Sequence, residues 1–165
     1  MKVIITGGTG FIGTNLCIFL LEKKIIKKIL LIDNFKSSNY QNFKIIKSKD
    51  IKNIVHFIKA SISEKNTINK IKKKFKKVDI IYHLAAQSSG ENSFHEPIYD
   101  LDTNLLGTHN ILKWCNELKI KQIIYSSTMS VYGDIKSTKS VKEDLNLKPS
   151  SIYGISKLMS EKYIR

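Results

Sequence analysis

Arginine is almost missing from this chain, since of its 28 basic residues only Arg165 is not a lysine. Bidentate reading of bases and phosphates depends on the guanidinium fork, whereas a lysine ammonium is a generic hydrated charge. No specific nucleic-acid partner is therefore expected, although only 14 acidic residues oppose the bases and leave a formal net charge of +14. Cysteine is scarce as well. Cys17 and Cys115 lie far apart, form no CxxC pair and cannot build a disulfide framework, so they read as buried, reduced thiols of a cytoplasmic protein. Long apolar runs are lacking too. The longest, Leu16–Leu21, is far short of the about 20 residues that span a bilayer, and the start MKVIITGGTG breaks on glycines before a signal-peptide core can form. No membrane role follows. His56, His95 and His109 stand at no metal-ligand spacing with cysteines or carboxylates, and His83 ends a strand-like run, so no metal is expected.

What is present suits one compact domain: 165 residues, 42% hydrophobic and 25% charged. Short β-branched runs alternate with stretches of helical length. The strand-like runs are 3–6, 29–32, 55–58, 79–83 and 122–126; the helical patterns are 11–23, 64–77 and 100–118. Residues 34–53 read as a loop with a short helix, and 135–151 as a long surface loop before a last helix. Within 64–77, Ile68, Ile71 and Phe75 form one apolar stripe, while seven lysines cover the remaining surface as a solvated face. Trp114 reads as core. Strand–helix–strand repetition predicts an α/β fold with a doubly wound, Rossmann-type parallel sheet and helices on both faces.

The first strand-to-helix junction reads Thr6-Gly7-Gly8-Thr9-Gly10-Phe11-Ile12-Gly13. Glycines there allow a tight turn and a close approach of backbone to a pyrophosphate, and the helix N-terminus supplies free N–H groups. Asp33 ends the second strand-like run, where a carboxylate can accept from the ribose hydroxyls of an adenosine and repel a 2′-phosphate. That favours NAD over NADP. Asp33 alone would also suit the start of a turn with Asn34, and Lys36 keeps the phosphorylated cofactor open.

Tyr153 and Lys157 stand four apart, on one helix face. A free tyrosine titrates near ~10, and a neighbouring ammonium favours its phenolate, as an acid–base group requires. The pair follows Tyr125-Ser126-Ser127-Thr128, hydroxyls that leave the fifth strand at the edge where ligands bind in this architecture.

Taken together, TGGTGFIG, Asp33, His83-Leu84-Ala85-Ala86, Asn104 with Gly107-Thr108, SSTMSVYG and YGISK resemble the extended short-chain dehydrogenases/reductases. The likeness is to their NAD-dependent epimerase/dehydratase group, and it runs the length of the chain. The resemblance implies that Gly7, Gly10 and Gly13, with the amides of Phe11 and Ile12, hold the pyrophosphate of NAD. Asp33 and Asn34 would face the adenosine ribose. Ser61 and Ile62 stand where the family carries an Asp-Ile pair against the adenine. Leu84, Ala85 and Ala86 would line the nicotinamide half, with Ser126 nearby, and Asn104 would brace the strand that carries the catalytic segment. Thr128, Tyr153 and Lys157 would form the catalytic trio. Family dehydratases read Thr-Asp-Glu before Val-Tyr-Gly; here Thr128-Met129-Ser130 offers neither carboxylate, which favours epimerisation through a keto sugar over elimination. The implied activity is that of a UDP-glucose 4-epimerase-like enzyme on a nucleotide sugar, with a homodimer for the full-length form. A related reductase or dehydrogenase, or a dinucleotide-binding module without catalysis, remains the alternative. On this reading residues 1–165 are the NAD-binding domain, cut before its last strands, with the substrate domain beyond Arg165.

Overall fold

A computed structural model describes residues 1–135 and 140–165. Part of the expected loop over 135–151, residues 136–139, lies outside the described residues. The chain divides into two compact units: one of residues 1–85 and 110–126, the other of residues 86–109 and 127–165.

The first unit holds five parallel strands, β1 (Lys2–Thr6), β2 (Lys28–Asp33), β3 (Val55–Lys59), β4 (Ile80–His83) and β5 (Gln122–Tyr125). Their order is β3-β2-β1-β4-β5, so the sheet reverses direction of growth between β1 and β4. That is the topological switch point of a doubly wound sheet. Side chains alternate between its faces, as the strand period of two requires. Val3, Ile5, Ile29, Leu31 and Val55 pack on one face with Cys17 and Leu20 of α1 (Phe11–Leu21) and Ile46 of α2 (Tyr40–Lys49). Ile4, Leu30, Ile32, Ile58 and Ile81 pack on the other with Ile71 of α3 (Thr67–Lys74) and with Ile111 and Trp114. Neither face could meet water without exposing such runs, which is why helices cover both.

The stretch expected as a third helix over 64–77 is shorter in the structure. Glu64 accepts from the Ser61 amide through its side chain and from the Thr67 amide through its carbonyl, which makes a turn before α3. At the far end Phe75 is extended, with φ −135° and ψ 112°, and its ring enters the core. The lysines of this stretch are exposed. Cys17 is buried and Cys115 half-buried, and both are free thiols.

The second unit contains α4 (Gly90–His95), α5 (Pro97–Asp100), a π-helical turn (Leu101–Leu106), a 3-10 turn (Met129–Tyr132) and α7 (Ile152–Ile164). The single helix expected over 100–118 is instead α5, the π-helical turn and α6 (Gly107–Glu117). Pro97 opens α5 at a position where its missing N–H costs nothing. α4 has no apolar periodicity long enough to be seen in the sequence; the Ser89 side chain caps it by accepting from the Asn92 amide. No helix among the described residues is long and apolar enough to cross a membrane.

Candidate functional site

In the first unit the chain leaves β1 through a turn that only glycine can build. Gly7 has φ +65°, and a Cβ there would lie 2.9 Å from the Ala85 amide nitrogen. A Cβ on Gly13 would meet the Gly7 carbonyl oxygen at 2.3 Å and the Gly8 Cα at 2.8 Å. Gly8, given no role by the sequence motif, is as constrained, because Leu31 would crowd its Cβ at 2.9 Å. Gly10 is the outward member: its Cβ would touch only the Gly7 carbonyl, at 3.3 Å. The Thr14 amide donates to the Gly10 carbonyl as the first bond of α1, which leaves the amides of Phe11, Ile12 and Gly13 beyond the reach of any intrahelical carbonyl. No side chain caps this end, and the side chains of Phe11 and Ile12 are exposed. The turn thus presents free donors and the positive end of a helix dipole to an anion such as a pyrophosphate.

Asp33 ties this turn to β2. Its Oδ2 accepts from the Thr9 amide at 3.1 Å; its Oδ1 accepts from the Phe35 amide and the Ser38 hydroxyl, both at 2.9 Å. An ionised carboxylate has about four acceptor sites, so room remains for a further donor. The residue thus starts a turn and keeps capacity for one more donor. Asn34 accepts from the Lys36 amide and shapes the same turn. Phe35 follows with φ +62°, an uncommon conformation for a bulky residue.

Other expected cofactor positions are engaged within the fold. The Ser61 hydroxyl pairs with that of Ser63 at 2.9 Å, and the Ile62 side chain belongs to the core. The Ile62 carbonyl accepts from Asn110. Thr6 Oγ1 meets His83 Nδ1 at 3.0 Å and receives the amides of Leu84 and Ala85, each at 3.2 Å. Thr6, held against His83, thus orders the chain leaving β4. The Ser126 amide donates to the His83 carbonyl where β5 ends. Ala86 is half-buried in the second unit.

In the second unit Tyr153 and Lys157 lie one turn apart on α7 and both are buried. Gly154 between them lets the helix approach the 3-10 turn, because a Cβ there would stand 2.6 Å from the Ser130 carbonyl oxygen. Ser151 caps α7 by accepting from the Gly154 amide. Burial pushes the Lys157 ammonium down from 10.5 to about 8, against the charges of Asp100 and Glu161, which favour its protonated form. Thr128 caps the 3-10 turn; its hydroxyl accepts from the Ser130 amide and donates to Ser130 Oγ.

Within the second unit Asn104 sits at the centre of a buried hydrogen-bond network. Its Oδ1 accepts from the Gln87 amide, and its Nδ2 lies 3.1 Å from each of the Gln87 carbonyl, Asp100 Oδ2 and Ser156 Oγ. Its own carbonyl accepts from Thr108 and Ser160 hydroxyls. One turn after Lys157 on α7, Glu161 accepts a hydrogen bond from Ser127. Sequence reasoning missed Gln87, Asp100, Ser156, Ser160 and Glu161. The signal was there in part: Asp100 with Asn104, and Ser156 with Ser160, are polar pairs four apart, the spacing of one helix face.

Among the described residues, no group of three or more His, Cys, Asp or Glu could hold a metal ion.

A family model described as GDP-mannose 4,6-dehydratase matches residues 4–165. The dTDP-D-glucose 4,6-dehydratase of Dictyostelium discoideum is 35% identical over 99% of this chain and 39% of its own length. A putative UDP-glucose 4-epimerase of Methanocaldococcus jannaschii is likewise 35% identical, over 99% of this chain and 50% of its own. Among solved structures, the UDP-glucose 4-epimerase of Thermus thermophilus in complex with NAD superposes with a TM-score of 0.85 at 27% identity, covering 99% of this chain and 50% of that one. The chain thus spans about half the length, or less, of these relatives. The chain, with residues 4–165 inside the family match and 99% of its length aligned at 35% identity to a relative, belongs to the NAD-dependent epimerase/dehydratase family.

Proposed function

We propose that residues 1–165 form the NAD-binding part of a nucleotide-sugar 4-epimerase acting on a UDP-sugar. The buried Tyr153–Lys157 pair on α7 carries this reading. The glycine turn fits the cofactor, because its free amides face outward and the space at Gly10 is one that a side chain would begin to fill. Gly7, Gly10, Gly13 and the amides of Phe11 and Ile12 would hold the pyrophosphate, and Asp33 with Asn34 the adenosine ribose. Ser61, Ile62, Leu84, Ala85, Ala86 and Ser126 are proposed contacts along the rest of the dinucleotide. The NAD of the Thermus relative supports the choice of cofactor. When bound, NAD supplies a nicotinamide that takes a hydride from the sugar and gives it back.

The chain's own residues do the proton work. Tyr153 takes the proton of the sugar hydroxyl as that carbon is oxidised and returns it on reduction. Lys157, titrating at about 8, can exchange a proton at near-neutral pH. Thr128 would turn its hydroxyl proton from Ser130 Oγ to the reacting oxygen when substrate is bound. Met129 and Ser130 bring neither an acid nor a base beside it, which weighs against elimination of water although one relative is named a dehydratase. Ile155, Met159 and Tyr163 form an exposed apolar stripe on α7, which supports a homodimer of the full-length protein. The lysine excess lies on solvated faces, and no nucleic-acid partner is part of this proposal.

The test is turnover of UDP-glucose by the protein that carries this chain. UDP-galactose should form without net accumulation of NADH, and Tyr153→Phe should slow it by about 10²-fold or more while NAD stays bound. Net NADH would instead indicate a dehydrogenase, a keto-deoxy product a dehydratase, and unchanged turnover in the variant would remove Tyr153 from the mechanism.

A further inference from the structure

Asp100 has no exposed surface, and no step proposed above uses it. Its Oδ2 accepts from Gln87 Nε2 at 3.0 Å and from Asn104 Nδ2 at 3.1 Å, whereas its Oδ1 is buried without a hydrogen-bond partner. A buried carboxylate satisfied on one oxygen is costly unless a cation compensates it. A candidate cation, Lys157, is buried in the same unit. The Asn104 amide that holds Asp100 also reaches Ser156 Oγ at 3.1 Å, and Ser156 precedes Lys157 on α7. α5, which ends on Asp100, packs against α7.

We propose that Asp100 is a positioning residue for Lys157: its carboxylate, locked by Gln87 and Asn104, is the buried counter-charge that favours the ammonium on the Tyr153 face of α7. The electrostatics agree. Burial is the main influence on Lys157 and disfavours its charge; Asp100 is the larger of the two charges that oppose this, ahead of Glu161. The remaining ionisable side chains on the other elements packed against α7 are Glu91 and His95 on α4, Tyr99 on α5, Asp102 in the π-helical turn and Tyr132 in the 3-10 turn, with His109 of α6 against the Tyr163 ring. All six are exposed or half-buried. Glu161 is engaged by Ser127 through one oxygen and is half-buried, whereas Asp100 has no exposed surface and an oxygen without a hydrogen-bond partner.

The inference rests on the reading of Tyr153 and Lys157 as an acid–base pair, and its test separates the two. In protein carrying 13C-labelled lysine, the Lys157 Cε resonance is identified by its loss in Lys157→Met and followed with pH. In the wild type it should titrate near pH 8. In Asp100→Asn the midpoint should fall by about one pH unit or more, and an unmoved midpoint overturns the proposal. Should Asp100→Asn fail to fold, the wild type still decides. The carboxyl 13C of Asp100 should show a step at the Lys157 midpoint, and its absence overturns the proposal equally. Calorimetry with NAD on the same samples distinguishes the two failures. A shifted midpoint without NAD binding supports Asp100 and sinks the cofactor reading; NAD binding with an unmoved midpoint does the reverse.

Discussion

Lys157 is only 3% exposed, and holding a cation there costs folding free energy. Its ordinary value of 10.5 falls to about 8 in the folded chain, with burial as the leading cause. Between those two values the folded state binds fewer protons than the unfolded one, so stability rises with pH across this window. Below about pH 8 the full cost is present. Relative to Lys157→Met, which has no such titration, the wild type should gain roughly 3 kcal/mol of unfolding free energy between pH 7.5 and 10.5. Denaturant melts of both proteins at several pH values measure it, and a difference that does not change with pH would contradict the burial of a charged lysine. The two ends of this pair were legible in the sequence, because Tyr153 and Lys157 stand one helical turn apart. Asp100 was not. In the run Tyr99-Asp100-Leu101-Asp102-Thr103-Asn104 it looks like any surface carboxylate, and only the packing of α5 on α7 buries it.

At the scale of elements, the five strands were read almost to their ends, because β-branched runs between polar breaks have few other uses. Helix ends were less legible. They depend on side chains such as Glu64 bonding to backbone, and on Phe75 turning into the core, which are tertiary outcomes. α4 left no periodic trace, and the helical pattern over 100–118 did not tell the π-helical turn from an α-helix. The glycine turn stands between these cases: its residues announce it, but which glycine is indispensable follows from distances. Gly13→Ala would drive a methyl into the Gly7 carbonyl and Gly8 Cα, so it should cost about 2 kcal/mol or more of stability. Gly10→Ala, with one contact at 3.3 Å, should stay within about 1 kcal/mol of the wild type. Urea unfolding of the two variants decides it; equal midpoints would show that α1 does not pack on the turn as described.

For the molecule as a whole, charge and function part company. The net charge of +14 comes from a lysine excess that, among the described residues, lies mostly at exposed positions, whereas the proposed chemistry uses free amides, Asp33 and two buried side chains. Such a field attracts any polyanion weakly and loses its grip in salt. A cofactor held by backbone amides and a buried carboxylate should not. The central claim, that the turn after β1 and Asp33 hold NAD, is therefore tested by calorimetric titration of NAD into the protein. The titration is run at low salt and again at about 0.5 M sodium chloride, where the screening length falls to roughly 4 Å. The account predicts saturable one-to-one binding at both, with NADP at least about tenfold weaker, since a repulsion of about 1.4 kcal/mol from Asp33 suffices for that. No saturable heat, or heat that disappears with salt, would contradict it.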